Sequence, residues 1–274
     1  MRKITVLNQK GGVGKTTTVA NLGACLAEGG RTVLLVDVDP QANLSLHFGV
    51  DVKEGEPSLY TLLRGEHEPA QALRPTALRG LSLIPSSIDL AGLSVEMSDR
   101  PDRLFVLRTA LAALPQEFDY VLIDSPPSLG LLTVNAMCAA DEVFIPLQTE
   151  FFALQGVGKL LHTVQLVQSN ANKALRITGV IPCMHDSRTS LAQEILEDIR
   201  AHFGPKVFRT IIRKNVRLAE APGFGVPVTQ YDSACHGAED YRALAQEVLA
   251  MEAAVPEAPP AIEQLQVMSR PLAG

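Results

Sequence analysis

The stretch Asn8-Gln9-Lys10-Gly11-Gly12-Val13-Gly14-Lys15-Thr16-Thr17-Thr18 decides how the rest of the chain is read. It follows the apolar run Ile4-Thr5-Val6-Leu7 and leads into residues 19–27, whose composition suits a helix. A strand, a glycine-rich turn and a helix N-terminus therefore follow one another. The backbone N–H groups of such a turn converge on an anion, and the helix dipole adds positive potential there. Lys15 would reach the outer phosphates of a nucleotide, and the Thr16 hydroxyl suits Mg2+. The stretch departs from the strict G-x-x-x-x-G-K-[ST] pattern in two ways. Gln9 stands where its first glycine belongs, and a second lysine, Lys10, precedes the paired glycines. Lys10 is either solvated surface or a further cation for phosphates, its own or those of a neighbouring subunit.

Around this turn, apolar runs alternate with helical periodicity. Residues 32–37 read as a buried parallel strand ending in Asp37-Val38-Asp39-Pro40-Gln41, and residues 120–124 as another ending in Asp124 before Ser125-Pro126-Pro127. Further strands are expected over 81–85, 142–147 and 177–181, and a last short one within 206–212. Helices are expected near 59–63 and over 103–114, 131–140, 157–167, 191–203 and 238–251. Alternating strands and helices imply an α/β fold, a doubly wound and mostly parallel sheet with helices on both faces. With no repeat and no internal linker, residues 1–254 read as a single domain. The Pro/Ala-rich residues 255–274 read as a disordered tail.

The chain has 274 residues, 46% of them hydrophobic and 20% charged, enough to bury a large core under an ordinary polar surface. Its 24 basic and 30 acidic residues give a net charge of −6, so binding to nucleic acid has to come from a local patch. Cys25, Cys138, Cys183 and Cys235 are widely spaced without a CxxC pair and read as reduced thiols of a cytoplasmic protein. The first strand begins at the N-terminus, leaving no room for a signal peptide, and no apolar run approaches membrane-spanning length.

Three acids join the turn. Asp124, at the end of an apolar strand, suits an aspartate holding Mg2+. Asp37 and Asp39 end the strand after the first helix: one could support the metal and its water shell, and one could orient an attacking water. An Asp at a strand end also caps turns, which could account for one of the two; Asp39 is assigned to the water, with Mg2+ as its neighbour.

The segments Lys10–Thr16, Val36-Asp37-Val38-Asp39-Pro40-Gln41 and Ile123-Asp124-Ser125-Pro126-Pro127 together resemble the ParA/Soj partitioning ATPases. These belong to the deviant Walker A group that also holds MinD and the nitrogenase iron protein. The resemblance runs from Ile4 to about Met251 and includes Thr149–Gly156, Asp186–Thr189 and Asn215–Pro222. It implies ATP as substrate, Mg2+ as cofactor and weak intrinsic hydrolysis. It further implies an ATP-sandwich homodimer in which Lys10 reaches the partner's phosphates. Gly11, Gly12, Val13, Gly14, Lys15, Thr16 and Thr17 would cradle the phosphates and metal, and Asp39 would position the hydrolytic water. Gly12 would lie where the loops of two subunits meet. Asn215 would contact adenine. Arg213 stands where the family carries proline, and its guanidinium plane can also stack on a base.

Residues 201–219 contain no Asp or Glu but hold Lys206, Arg209, Arg213, Lys214 and Arg217. Such a stripe binds phosphate backbone without reading sequence, unless it is merely a solvated edge. The resemblance adds Arg188 to Arg217 as DNA-holding arginines. It implies nucleoid association, a ParB-like stimulating partner and no stable membrane association. A related ATPase that positions a protein cargo on the nucleoid fits the same residues. A MinD-like membrane cycle would need a basic amphipathic C-terminal helix. Residues 261–268 instead carry Glu263 and no Lys or Arg. An iron–sulfur reductase would need cysteines in glycine-rich contexts, which Cys138 and Cys183 lack.

Overall fold

The computed structural model describes residues 1–150, 153–154 and 156–253. Strand β1 (Arg2–Val6) turns into helix α1 (Lys15–Glu28), and β2 (Val33–Asp37) into α2 (Asn43–His47). Short helices α3 (Leu59–Arg64) and α4 (Pro69–Ala72) precede β3 (Arg74–Pro75) and β4 (Leu81–Ile84). Helices α5 (Leu93–Glu96) and α6 (Val106–Ala112) lead to β5 (Tyr120–Asp124). Helix α7 (Leu131–Ala139) joins β5 to β6 (Glu142–Gln148), and α8 (Val157–Asn170) joins β6 to β7 (Arg176–Cys183). Then come α9 (Ser190–Phe203), α10 (Arg217–Glu220), α11 (Val228–Tyr231) and α12 (His236–Ala253).

The strands form one sheet in the order β3-β4-β2-β5-β1-β6-β7. All neighbours pair parallel except β3 with β4. Strands β2 and β5 are buried along their whole length, which is why they read as uninterrupted apolar runs. Successive residues serve opposite faces. Leu35, Tyr120, Leu122 and Phe144 pack with Leu22 and Leu26 of α1 and Tyr241 and Leu244 of α12. Leu34, Val121, Ile123 and Ile145 pack with Leu107, Ala136, Leu160 and Val164 from α6, α7 and α8. Each such buried aliphatic side chain contributes about 1.5–3 kcal/mol of transfer free energy.

Two glycines permit close approach. A Cβ on Gly23 of α1 would lie 2.6 Å from Leu35, and one on Gly179 of β7 would lie 2.4 Å from Phe208 and 2.7 Å from Phe144. Helix α1 can therefore press onto the sheet, and the edge-on Phe144–Phe208 pair, with centroids 5.2 Å apart, can close over β7.

The expected strand within 206–212 is not formed. In its place stand a 3-10 turn, Gly204–Lys206, and two isolated parallel bridges, Val180 to Val207 and His185 to Arg213. The cause lies in α12. Its Glu247 carboxylate accepts the backbone N–H groups of Arg209 (3.0 Å) and Thr210 (2.6 Å), drawing them off the ladder. Strand β3 was not anticipated; it is two residues at the sheet edge, where Pro75 is tolerated. The tail expected to be disordered, 255–274, lies outside the described residues.

Candidate functional site

The loop after β1 sits at the C-terminal ends of β5, β1 and β6, where parallel sheets place their ligand crevices. Gly12 (φ 71) and Gly14 (φ 88) are left-handed, a conformation side chains resist. Gly14 caps α1 without a side-chain bond, and the first turn of α1 carries no acid. The amides of that turn are thus left for an external anion. The two non-glycine residues at positive φ among the described residues, Ala42 and Met184, both at φ 52, flank this site. Ala42 follows Asp39 by three residues, and the Met184 Cε would lie 3.9 Å from a Cβ on Gly14. Strained backbone held by its surroundings is typical of functional loops.

Lys15 is buried, and its Nζ donates to the Lys10 carbonyl oxygen at 3.3 Å. Burial lowers its pKa, opposed by the charges of Asp124 and Asp39. The Thr16 hydroxyl donates to Asp124 Oδ2 at 2.7 Å, while Asp124 Oδ1 is buried with no partner. Burial and the neighbouring Asp37, opposite it in the β2–β5 register, push the Asp124 carboxyl well above the usual carboxylate range. Such a site favours a cation. An orphaned carboxylate oxygen beside a hydroxyl is the hard-oxygen set that suits Mg2+, which takes few protein ligands and completes its shell with phosphates and water.

Asp37 and Asp39 are treated differently. Asp37 is fully buried and accepts the Ser45 N–H (2.8 Å), the Ser45 hydroxyl (2.7 Å) and the Asp39 N–H (3.2 Å). Ser45 Oγ in turn accepts the Ser86 N–H at 2.9 Å, so Asp37 ties α2 to the end of β4. Asp39 uses one oxygen to accept the Gln41 N–H at 3.0 Å; its other makes no hydrogen bond among the described residues.

Lys10 stands at the rim. Its side chain is 43% exposed, and its Nζ donates to Gln148 Oε1 at 2.6 Å and approaches Glu150 at 3.4 Å. Gln148 Nε2 donates to the Gly12 carbonyl at 3.0 Å, and Cys183 Sγ to that of Val13 at 3.1 Å. Gly11 has open space where a side chain would be, and Thr17 accepts a bond from Asn21 at its carbonyl. Sequence reasoning missed Gln148 and Ser45. The only sign of Gln148 was its place at the end of an apolar strand, beside the motif that begins at Thr149.

The basic stripe is divided. Val207 pairs with Val180 within β7, and Arg213 with His185, two residues beyond its end. Exposed Lys206 and Arg209 lie at the first position. At the second, beyond the end of β7, lie Lys214 and the Asp186–Arg188 turn; the hydrogen bonds from Arg188, with a smaller contribution from the charge of Lys214, hold the Asp186 carboxyl low. Arg217 follows there, paired with Glu220 (2.7 Å) and Asp232 (3.2 Å), and Arg188 pairs with Asp186 at 2.6 Å. Arg213 is not a free cation. Its guanidinium grips Asp240 of α12 at 2.6 Å and reaches Glu239 at 3.2 Å. Asn215, half-buried, accepts the Arg217 N–H at 2.8 Å in the turn that precedes α10.

A family model described as an AAA domain matches residues 1–177. The chain is 49% identical over 251 residues to the chromosome-partitioning ATPase Soj of Treponema pallidum, covering 92% of this chain and 98% of that protein. It is 48% identical over 254 residues to the chromosome partitioning protein ParA of Caulobacter vibrioides, covering 92% and 95% respectively. Among solved structures, cobyrinic acid a,c-diamide synthase from Mycobacterium smegmatis with bound ATP analogue and magnesium superposes with a TM-score of 0.83 at 40% identity. That match covers 92% of this chain and 95% of the other.

Proposed function

The chain belongs to the ParA/Soj family of chromosome-partitioning ATPases, and from that membership we propose that it is an ATP-driven switch for DNA segregation. ATP closes a sandwich homodimer, the dimer holds DNA without reading its sequence, and a ParB-like partner stimulates hydrolysis and release. The observation that carries this reading is the contrast between two lysines of one loop. Lys15 is buried toward the acids, whereas Lys10 stands at the exposed rim, where it can serve a second subunit.

Each residue then has a task. Amides of residues 11–17 and the Lys15 ammonium hold the phosphates. Thr16 and Asp124 would hold Mg2+, with Asp39 at the edge of its shell, and the ion when bound would neutralise charge developing on the phosphates. Asp39, with an uncommitted oxygen, orients the attacking water, while Asp37, fully engaged, is structural. Asn215 contacts adenine. Arg213 flanks the base from its grip on α12. Arg188, Lys214 and Arg217 provide the principal contacts to DNA, with Lys206 and Arg209 further out.

Among the described residues no helix is long and apolar enough to cross a membrane. The proposed place of action is the nucleoid. The test is anisotropy of a fluorescent duplex of arbitrary sequence with ATP, ADP or no nucleotide, at several salt concentrations. Binding only with ATP, weakened by salt, is expected. Equal binding in all three conditions would overturn the switch.

A further inference from the structure

Lys10 is held within its own chain by residues on and just beyond the C-terminal end of β6. Asn8 Nδ2 donates to the Pro146 carbonyl at 2.7 Å, and the Lys10 N–H donates to Asn8 Oδ1 at 2.9 Å. Two residues on, Gln148 is 8% exposed and bridges the loop. Its Nε2 donates to the Gly12 carbonyl, which fixes the amide so that Oε1 faces the Lys10 ammonium at 2.6 Å. Two residues further, Glu150 supplies a negative charge 3.4 Å from the same ammonium. Pro146 and Gln148 lie on β6 and Glu150 just beyond it, and each contacts the loop directly.

We infer that Gln148 and Glu150 are positioning residues for Lys10, a latch in cis that must open before Lys10 can reach a partner subunit. This rests on the sandwich dimer proposed above. A lysine ammonium has three donors, and the latch occupies two of them. Closure therefore exchanges two contacts in cis for phosphate contacts in trans. The cis contacts are given up whichever nucleotide is bound, so the latch opposes every closure and the phosphate contacts in trans have to offset it. The Lys10 and Glu150 side chains are 43% and 59% exposed, so the ion pair shifts the equilibrium by about threefold in each protomer. A symmetric dimer opens two latches, which makes the effect on the dimerisation constant about tenfold.

The experiment compares wild type, Glu150→Gln, Lys10→Ala and the charge control Glu117→Gln, whose acid is exposed and remote from the loop. Sedimentation velocity with a non-hydrolysable ATP analogue gives the protein concentration at half dimerisation. Amine labelling of nucleotide-free protein, read by mass spectrometry, gives the reactivity of Lys10. Glu150→Gln is expected to dimerise at about tenfold lower concentration and to label faster at Lys10, with Glu117→Gln like wild type. An unchanged or higher midpoint for Glu150→Gln, or the same gain for Glu117→Gln, overturns the latch and leaves the sandwich standing. A wild type that does not dimerise, or a Lys10→Ala variant that dimerises equally well, overturns both.

Discussion

The floor beneath the phosphate loop and the basic edge beyond β7 are both made of charged residues, but they are built in opposite ways. At the floor, Lys15, Asp37 and Asp124 are buried, the two acids opposite each other in the β2–β5 register and bonded to Ser45 of α2 and Thr16 of α1. At the edge, Arg188 and Arg217 are exposed and paired with acids they can exchange for other anions. Buried charges are costly to leave unmatched, so the floor fixes one geometry. Exposed pairs are worth little, so the edge can release its arginines to a phosphate backbone. The floor answers to pH, and the edge to salt.

The largest expected effect is at the floor. Lys15→Ala removes the buried cation among the acids and should lower hydrolysis by about 100-fold or more, measured as phosphate release. At the edge, Arg217→Glu should weaken ATP-dependent DNA binding by about tenfold and reduce the salt slope by about 1, while Lys206→Glu should do much less. Equal losses at both positions would mean the stripe acts as one surface despite its division. Arg213 sharpens the contrast, because it belongs to the basic stretch yet is committed to a buried acid of α12. Arg213→Ala leaves Asp240, whose side chain is 8% exposed, without its cation. The expected cost is about 1–2 kcal/mol in urea unfolding, discounted because the guanidinium itself is partly exposed, against little for Lys214→Ala.

The smallest effect concerns His47 at the end of α2. It is buried, its Nε2 has no partner, and burial lowers its pKa to about 4. The folded state then binds fewer protons than the unfolded state between that value and the ordinary 6.5. Stability present above the unfolded value is therefore lost as pH falls through this window. Unfolding of nucleotide-free His47→Gln should show a shallower acid slope there than wild type; an identical slope would remove His47 from the account.

The floor was legible in the sequence because its chemistry follows chain order. A strand, a glycine turn and a helix placed Lys15 and Thr16, and apolar runs ending in Asp placed Asp37 and Asp124. The division of labour between Asp37 and Asp39 was not legible, since it depends on Ser45 folding back onto Asp37. The ion pairing of the edge was not legible for a related reason. Residues 201–219 contain no acid, but α12 brings Glu239, Asp240 and Glu247 against them from more than twenty positions away. The same Glu247 dissolved the expected last strand. Local order predicts what neighbours in sequence build, and misses what a distant helix supplies.

In the proposed switch, Lys10 of the phosphate loop and Asp39 of the turn after β2 together couple dimer closure to hydrolysis. The most direct measurement of this coupling is the dissociation rate of the protein from immobilised DNA in ATP, with wild type, Lys10→Ala and Asp39→Ala side by side. Lys10→Ala is expected never to load, while Asp39→Ala is expected to load and to leave more slowly than wild type. Loading of Lys10→Ala at the wild-type level, or equal departure of Asp39→Ala and wild type, would contradict the coupling.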